Sequence, residues 1–172
     1  YYTFQYYHNP AQSLEELGDK NNTRTNFTFN SKLTWKVLEG LNITGQAIIR
    51  KNDKDENAFY KVVDTYDWDN NITWIYGNPN YASRRYEKTL YKNFTVLADF
   101  KRRFNEIHDL GIMIGGANES SNYDWFEAAR QDFSQQEVPS LNLGSPENQY
   151  ATSGGEAWTI NSYFARLNYV LM

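Results

Sequence analysis

The most informative part of the sequence is residues 27–51, which read FTFNSKLTWKVLEGLNITGQAIIRK. Apolar and polar side chains alternate along it, with Ser31 as the one interruption of the first apolar series. Because the side chains of a β-strand point alternately to its two faces, the pattern predicts strands with one apolar and one polar face. Leu38-Glu39-Gly40 turns the chain directly from the first strand into the second. The apolar faces comprise Phe27, Phe29, Leu33, Trp35, Val37, Leu41, Ile43, Gly45, Ala47 and Ile49.

Similar alternation recurs along the chain and predicts five strands, at about residues 23–38, 41–51, 88–103, 108–117 and 157–170. The connections are unequal in length, with two tight turns at residues 38–40 and 104–107, and two long loops at about residues 52–87 and 118–156. Residues 1–22 are also loop-like. Short turns at one end and long loops at the other are typical of outer-membrane β-barrels, whose strands face lipid on one side and a polar lumen on the other.

The alternation assigns individual side chains to the two environments of such a barrel. We expect the lipid-facing side chains to include Phe27, Phe29, Leu33, Ile43, Ile49, Phe94, Val96, Phe100, Leu110, Ile112, Ile114, Leu167 and Tyr169. We expect the lumen-facing side chains to include Thr28, Asn30, Lys32, Thr44, Gln46, Asp99, Lys101 and Arg166. Phe164 departs from the alternation, as a side chain that points at an interior plug would.

The composition is compatible with this interpretation. The 172 residues suffice for one ordinary domain, and their mean hydropathy is −0.77 although 17% of them are aromatic. Strands with one polar face average out as hydrophilic, and no apolar run approaches the roughly 20 residues that a membrane helix needs. The net charge of −4, without a basic cluster, argues against nucleic acid as a partner.

Catalytic and metal-binding motifs have little support. The chain has no cysteine, and its two histidines, His8 and His108, are far apart in sequence. Asp64, Asp67 and Asp69 could form a carboxylate pair or a calcium site within residues 64–71, but a solvated acidic loop explains them better. We therefore expect no enzyme activity, no cofactor and no metal.

Aromatic residues in the predicted long loops are the candidate binding residues. Aromatic rings stack on sugars and pack against peptides, and loops often carry binding function. The same rings could instead pack among themselves to order the loops. The candidates are Tyr66, Trp68, Trp74, Tyr76, Tyr81, Tyr123, Trp125 and Phe126.

Residues 122–169 contain motifs that resemble the barrel of SusC/RagA-type TonB-dependent transporters. The first is an Arg-x-Asp-Phe element, followed by a Val-Pro-x-Leu-x-x-Gly element and a strand that ends in Phe-x-Arg-Leu-Asn-Tyr. The matching residues are Arg130, Asp132, Phe133, Val138, Pro139, Leu141, Gly144, Phe164, Arg166, Leu167, Asn168 and Tyr169. The upstream stretches NPAQSLEE and TFNSKLTWKVLEGLNITGQ resemble the same barrel more weakly.

The resemblance implies an all-β fold, an antiparallel transmembrane β-barrel segment with long extracellular loops. Residues 1–172 are then part of one TonB-dependent receptor β-barrel domain of about 22 strands, whose plug domain and remaining strands lie outside this chain. It also implies a Gram-negative outer-membrane importer of oligosaccharide or peptide cargo, surrounded by outer-membrane lipid. Its implied partners are a SusD-like surface lipoprotein and TonB, which acts through the missing plug.

Two further expectations concern the loops and the rival fold. We expect residues 126–144, with Arg130 and Asp132 as candidate partner contacts, to pack against the barrel rim or the lipoprotein. The alternative to a membrane barrel is a soluble, secreted β-sandwich that binds carbohydrate through its aromatic loops, because a soluble sheet with one wet face shows the same alternation.

Overall fold

The computed structural model describes residues 10–171, which form long strands and little else. In chain order the elements are α1 (Pro10–Glu16), β1 (Gly18–Leu38), β2 (Leu41–Tyr60), β3 (Val63–Tyr66), β4 (Ile72–Tyr76), β5 (Tyr81–Phe104), β6 (His108–Gln131), a 3₁₀ turn (Leu141–Leu143) and β7 (Gln149–Leu171). The five long strands form an antiparallel sheet in the order β1-β2-β5-β6-β7, and β3 pairs with β4. Within residues 10–171, no helix is long and apolar enough to cross a membrane.

Both predicted tight turns are confirmed. Gly40, between β1 and β2, has a φ of 83°, and a Cβ atom there would lie 2.3 Å from the carbonyl oxygen of Lys101. The turn between β5 and β6 places Asn105 and Glu106 in the left-handed region, at φ 50° and 61°. Glycine is therefore required at position 40 for both its conformation and its lack of a side chain.

The predicted lengths of the strands and loops were wrong. The five long strands have 20 to 24 residues each. The first long connection shrinks from residues 52–87 to residues 61–80, and the second from residues 118–156 to residues 132–148. Beyond the amphipathic part, both faces of each strand carry polar side chains. Hydropathy alternation therefore disappears there, although backbone pairing continues.

The chain divides into two compact units. The first comprises residues 1–24, 53–87 and 125–154, and the second comprises residues 25–52, 88–124 and 155–172. Each long strand contributes residues to both units.

In the second unit, the apolar face of the inner strands β5 and β6 is the more exposed one. Phe94, Val96, Ile112 and Ile114 are between 38% and 59% exposed and alternate with half-buried neighbours. On the opposite, polar face, side chains bond across the strands. The hydroxyls of Thr34 and Thr44 lie 3.1 Å apart, and Gln46 Nε2 donates to Asn30 Oδ1 at 3.2 Å.

In the first unit, a small core lies where the second connection meets two strands. Phe59 of β2, Ala82 of β5 and Phe133 of the connection are at most 5% exposed, and Leu141 packs against them. The rings of Phe59 and Phe133 meet edge to face, with their centres 5.4 Å apart. The apolar contacts of this core offset part of the entropy that the connection loses when it is ordered.

Candidate functional site

The β3–β4 hairpin of the first unit carries four of the candidate aromatics on a rigid base. Thr65 of β3 is fully buried, and its hydroxyl donates to the carbonyl of Trp74 at 3.0 Å. The hydroxyl of Thr73 donates to the carbonyl of Thr65 at 3.2 Å. On the β3 side, the buried amide of Gln12 in α1 donates to the carbonyl of Asp64 at 3.0 Å. These side-chain bonds supplement the short backbone ladder of the hairpin.

Asp67 closes the turn of the hairpin. Its Oδ1 accepts backbone N–H bonds from Asp69 at 2.9 Å and from Asn71 at 2.8 Å, and its Oδ2 accepts from the Asn71 side chain at 3.1 Å. The bonds from Asn71 lower the pKa of the Asp67 carboxyl below its usual range. Asn70, between these partners, adopts the left-handed conformation that asparagine tolerates.

The aromatic side chains of the hairpin differ in exposure. Trp68 at the turn is 71% exposed and Trp74 is 56% exposed, whereas Tyr66 and Tyr76 are half-buried. The rings of Trp74 and Tyr76 lie 6.4 Å apart. The hairpin therefore presents two indoles on an ordered backbone, which limits the entropy that binding would cost.

Two buried or half-buried amides hold the second connection, residues 132–148. Asn80 is 5% exposed; its Nδ2 donates to the carbonyl of Phe133 at 2.9 Å, and its Oδ1 accepts the Phe133 N–H at 2.6 Å. Gln136 pairs in the same way with Val62, accepting its N–H and donating to its carbonyl at 3.2 Å. Each amide side chain thus substitutes for a strand partner.

Arg130 and Asp132, the predicted partner contacts, bond within this region. Arg130 donates to the carbonyl of Gly144 at 3.3 Å and to Gln149 Oε1 at 3.2 Å. Asp132 has a φ of 58°, and its carboxylate accepts a bond from the Asn148 amide. These contacts join the end of β6 to the far end of the connection and to the start of β7, all within the first unit.

Four candidates predicted to lie in the second long loop are instead strand residues. Tyr123, Trp125, Phe126 and Arg130 lie in β6, because this strand extends to Gln131. Tyr81 is the first residue of β5, and its ring stacks on that of Tyr60 at 6.3 Å. The sequence prediction missed this because Tyr, Trp and Phe are themselves frequent strand residues, so they do not distinguish a loop from a strand.

Phe126 and Trp125 point to opposite faces of β6, as neighbours in a strand must. Phe126 pairs with Tyr86 of β5 at 6.0 Å. Trp125 lies beneath the guanidinium of Arg85, whose carbon is 4.3 Å from the ring centre. The two candidates therefore belong to different surfaces of the first unit.

A charged ladder, absent from the sequence prediction, runs across β1, β2, β5 and β6 in the first unit. The successive ion pairs are Lys20–Glu56 at 2.9 Å, Glu56–Lys54 at 3.2 Å, Lys54–Glu87 at 3.6 Å, Glu87–Arg85 at 2.7 Å and Arg85–Glu127 at 3.1 Å. Three bases alternate with three acids, so the ladder is neutral. The i, i+2 spacing in Lys54-x-Glu56 and Arg85-x-Glu87 could have revealed it, because such residues share one face of a strand.

A groove of about 730 Å³ lies beside the second connection in the first unit. Phe59, Ala82 and Leu141 contribute apolar lining, and Asp19, Lys61 and Glu137 contribute charges of both signs. Its volume falls within the range of small-ligand sites, but the mixed lining selects no single ligand.

Within residues 10–171, no group of three His, Cys, Asp or Glu side chains could hold a metal ion. Of the three acidic residues considered for calcium, Asp67 uses its carboxylate to close the hairpin turn. His108 bonds instead to the hydroxyl of Tyr169 at 2.6 Å. His8 lies outside the described residues.

Comparison with known proteins adds information about the fold. Neither a protein-family model nor a curated protein matches the sequence. Solved structures of the RagAB peptide transporter, and of the RagAB peptide importer in its closed-closed state, match with a TM-score of 0.80 and 18% identity. The open-open state of that importer matches with a TM-score of 0.78. Each comparison covers 92% of this chain and 17% of the other.

This similarity establishes the fold class predicted from the alternating strands. The chain has the fold of an antiparallel β-barrel segment. A match of this kind over 92% of the chain favours the barrel segment over the β-sandwich alternative. The chain spans 17% of the length of the matched chains.

Proposed function

We propose that this chain is a segment of an outer-membrane active importer of glycan or peptide oligomers. The observation that carries the proposal is the exposed apolar face of the second unit. Val96 and Ile114 are more than half exposed although their strands, β5 and β6, are paired on both sides. Leu33 and Leu167 extend this apolar face onto the edge strands β1 and β7. A soluble protein rarely leaves so continuous an apolar surface in water, whereas a membrane barrel places it against lipid.

The polar face supports the same proposal. Threonine, asparagine and glutamine side chains bond to one another there in pairs, which suits a water-filled interior. Structural similarity to the RagAB peptide transporter supports a role in transport and no role as an enzyme. On this proposal, residues 1–172 are part of one barrel domain in the Gram-negative outer membrane, and they catalyse no reaction.

The partners follow from the family that the motifs resemble. A SusD-like lipoprotein would close over the barrel mouth, and TonB would supply energy through a plug domain elsewhere in the parent protein. The exposed hairpin indoles of Trp68 and Trp74 would contact cargo. Residues 126–144, held by Asn80 and Gln136, would present an ordered surface to the lipoprotein.

Expression of residues 1–172 alone tests the membrane assignment. A barrel segment with an uncovered apolar face should be insoluble without detergent and should not form a monodisperse species. A soluble monomer with a cooperative melting transition would contradict the proposal and favour the carbohydrate-binding module. The same segment within its complete parent protein should fractionate with outer membranes.

A further inference from the structure

Two aromatic and two charged side chains, one from each of four neighbouring strands, form a cluster on the polar face of the second unit. Arg50 lies on β2, Tyr91 on β5, Glu119 on β6 and Trp158 on β7. The Arg50 guanidinium carbon is 5.4 Å from the centre of the Tyr91 ring, and the Tyr91 hydroxyl donates to Glu119 Oε1 at 2.8 Å. The rings of Tyr91 and Trp158 are 6.5 Å apart at an angle of 64°.

Trp158 lies on the face that carries polar residues, as its contact with Tyr91 shows, and it is 40% exposed. Farther along β7, Phe164 is 39% exposed and lies against Gly115, where a Cβ atom would meet its ring at 2.6 Å. Accessible rings beside polar groups can contact a ligand that has both apolar and polar surfaces.

The polar groups beside the rings indicate what that ligand is. Arg50 is exposed, and within residues 10–171 it forms no ion pair, so its N–H groups can donate to a ligand. Glu119 uses Oε1 for Tyr91 and retains Oε2 as an acceptor. Aromatic rings flanked by a strong donor and a strong acceptor match a sugar ring, whose C–H face is apolar and whose rim carries hydroxyls that both donate and accept.

We propose that Tyr91 and Trp158 form a sugar-binding subsite, with Arg50 and Glu119 as the hydrogen-bonding partners of the sugar hydroxyls. The inference deepens the proposed function and rests on it, because the polar face must line an aqueous path for cargo to reach this cluster. It selects glycan over peptide as the cargo at this position. All four residues of the subsite lie in the second unit.

Binding of oligosaccharides to the purified complete transporter in detergent tests the subsite. Maltohexaose, cellohexaose and mannohexaose serve as probes, and trialanine serves as the peptide probe, with titration calorimetry as the measurement. We expect at least one hexaose to bind, and Trp158→Ala to weaken that binding about tenfold, equivalent to about 1.4 kcal/mol. Trp158→Phe should retain most of the affinity, since it keeps an aromatic face.

Matched variants separate binding from folding. Trp35→Ala removes an indole from the apolar face of the same unit and should leave hexaose affinity unchanged. Arg50→Gln should weaken binding, whereas Lys32→Gln, on the polar face of β1, should not. Resistance to protease and heat-dependent gel migration confirm that each variant is assembled.

Two results would overturn the subsite. One is hexaose affinity that is unchanged in assembled Trp158→Ala and Arg50→Gln variants. The other is binding of trialanine, with none of the three hexaoses bound. In either case, recovery of the protein in outer membranes would leave the proposed function standing, whereas its absence from membranes would remove the proposed function itself.

Discussion

The guanidinium of Arg85 lies over the ring of Trp125, with its carbon 4.3 Å from the ring centre. Two ion pairs, to Glu87 and Glu127, fix the guanidinium in this position. From β7, Gly154 approaches the same indole so closely that a Cβ atom would lie 3.0 Å from its Nε1. Trp125 is therefore a structural link between three strands as well as a candidate for cargo contact.

Gly154→Val should displace the Trp125 indole and lower the stability of the complete protein. Overpacking of this kind costs about 1–3 kcal/mol. The measurements are the urea midpoint of unfolding in detergent and the emission maximum of tryptophan fluorescence. Gly45→Ala is the matched control, because a Cβ atom there meets nothing within 4 Å. Equal midpoints for the two variants would show that Trp125 adjusts without cost.

Ile112→Arg should impair membrane assembly far more than Thr44→Arg. Ile112 lies on the exposed apolar face, and arginine on a lipid-facing surface at mid-bilayer costs about 2–4 kcal/mol. Thr44 lies on the polar face, where its hydroxyl contacts Thr34. The amount of heat-modifiable protein in outer membranes measures assembly. Equal tolerance of the two substitutions would be incompatible with the membrane orientation proposed here.

Trp68→Ala should weaken cargo binding without lowering the amount of protein in the membrane. The indole is 71% exposed at the hairpin turn, so its removal exposes no core. Trp125→Ala should also weaken binding, and it should lower stability because Arg85 loses its aromatic partner. Titration with cargo measures the affinity of each variant, and the amount of protein in membranes measures its stability there. Unchanged affinity in both variants would place the cargo site elsewhere in the parent protein.

The hairpin turn should lose order as the pH falls through the lowered pKa of Asp67. The carboxyl has a depressed pKa in the folded state, so its ionised form contributes stability above its ordinary pKa of about 3.9. That contribution is lost once the folded carboxyl is protonated, at still lower pH. Hydrogen exchange at the Asp69 and Asn71 amides follows the change. In Asp67→Ala the protection factors of these amides, which compare their exchange with that of an unstructured peptide at the same pH, should be low at every pH. Protection that still falls with pH in this variant would exclude Asp67 as the source of the change.

Asn80→Ala should loosen residues 132–148. The substitution leaves the buried N–H and carbonyl of Phe133 without their partner, at a cost of about 1–3 kcal/mol for each unsatisfied group. Hydrogen exchange across residues 132–148 should accelerate, and complex formation with the lipoprotein should decline, as it should on deletion of residues 130–141. Asn142→Ala, at an exposed position of the same connection, is the control. Unaltered exchange in Asn80→Ala would mean that the Phe59–Phe133 contact alone holds the connection.

The amphipathic strands and their tight turns follow from the amino-acid sequence alone. Phe94 and Val96 alternate with Asn93 and Thr95, and this local period fixes which face each side chain occupies. Gly40 marks a turn because its conformation is local as well. Period and turn chemistry are properties of adjacent residues, so they can be inferred without the tertiary structure.

The ends of the strands and the contacts between distant side chains depend on the tertiary structure. β2, β5 and β6 continue beyond their amphipathic parts. There, Lys54 pairs with Glu87 between β2 and β5, and Arg85 pairs with Glu127 between β5 and β6. The bond from Asn80 to Phe133 spans 53 positions of sequence, and the Tyr91–Trp158 cluster joins strands that are not adjacent in the sheet. Contacts of this kind depend on strand register and on which distant segments pack together. No local pattern of side chains specifies either.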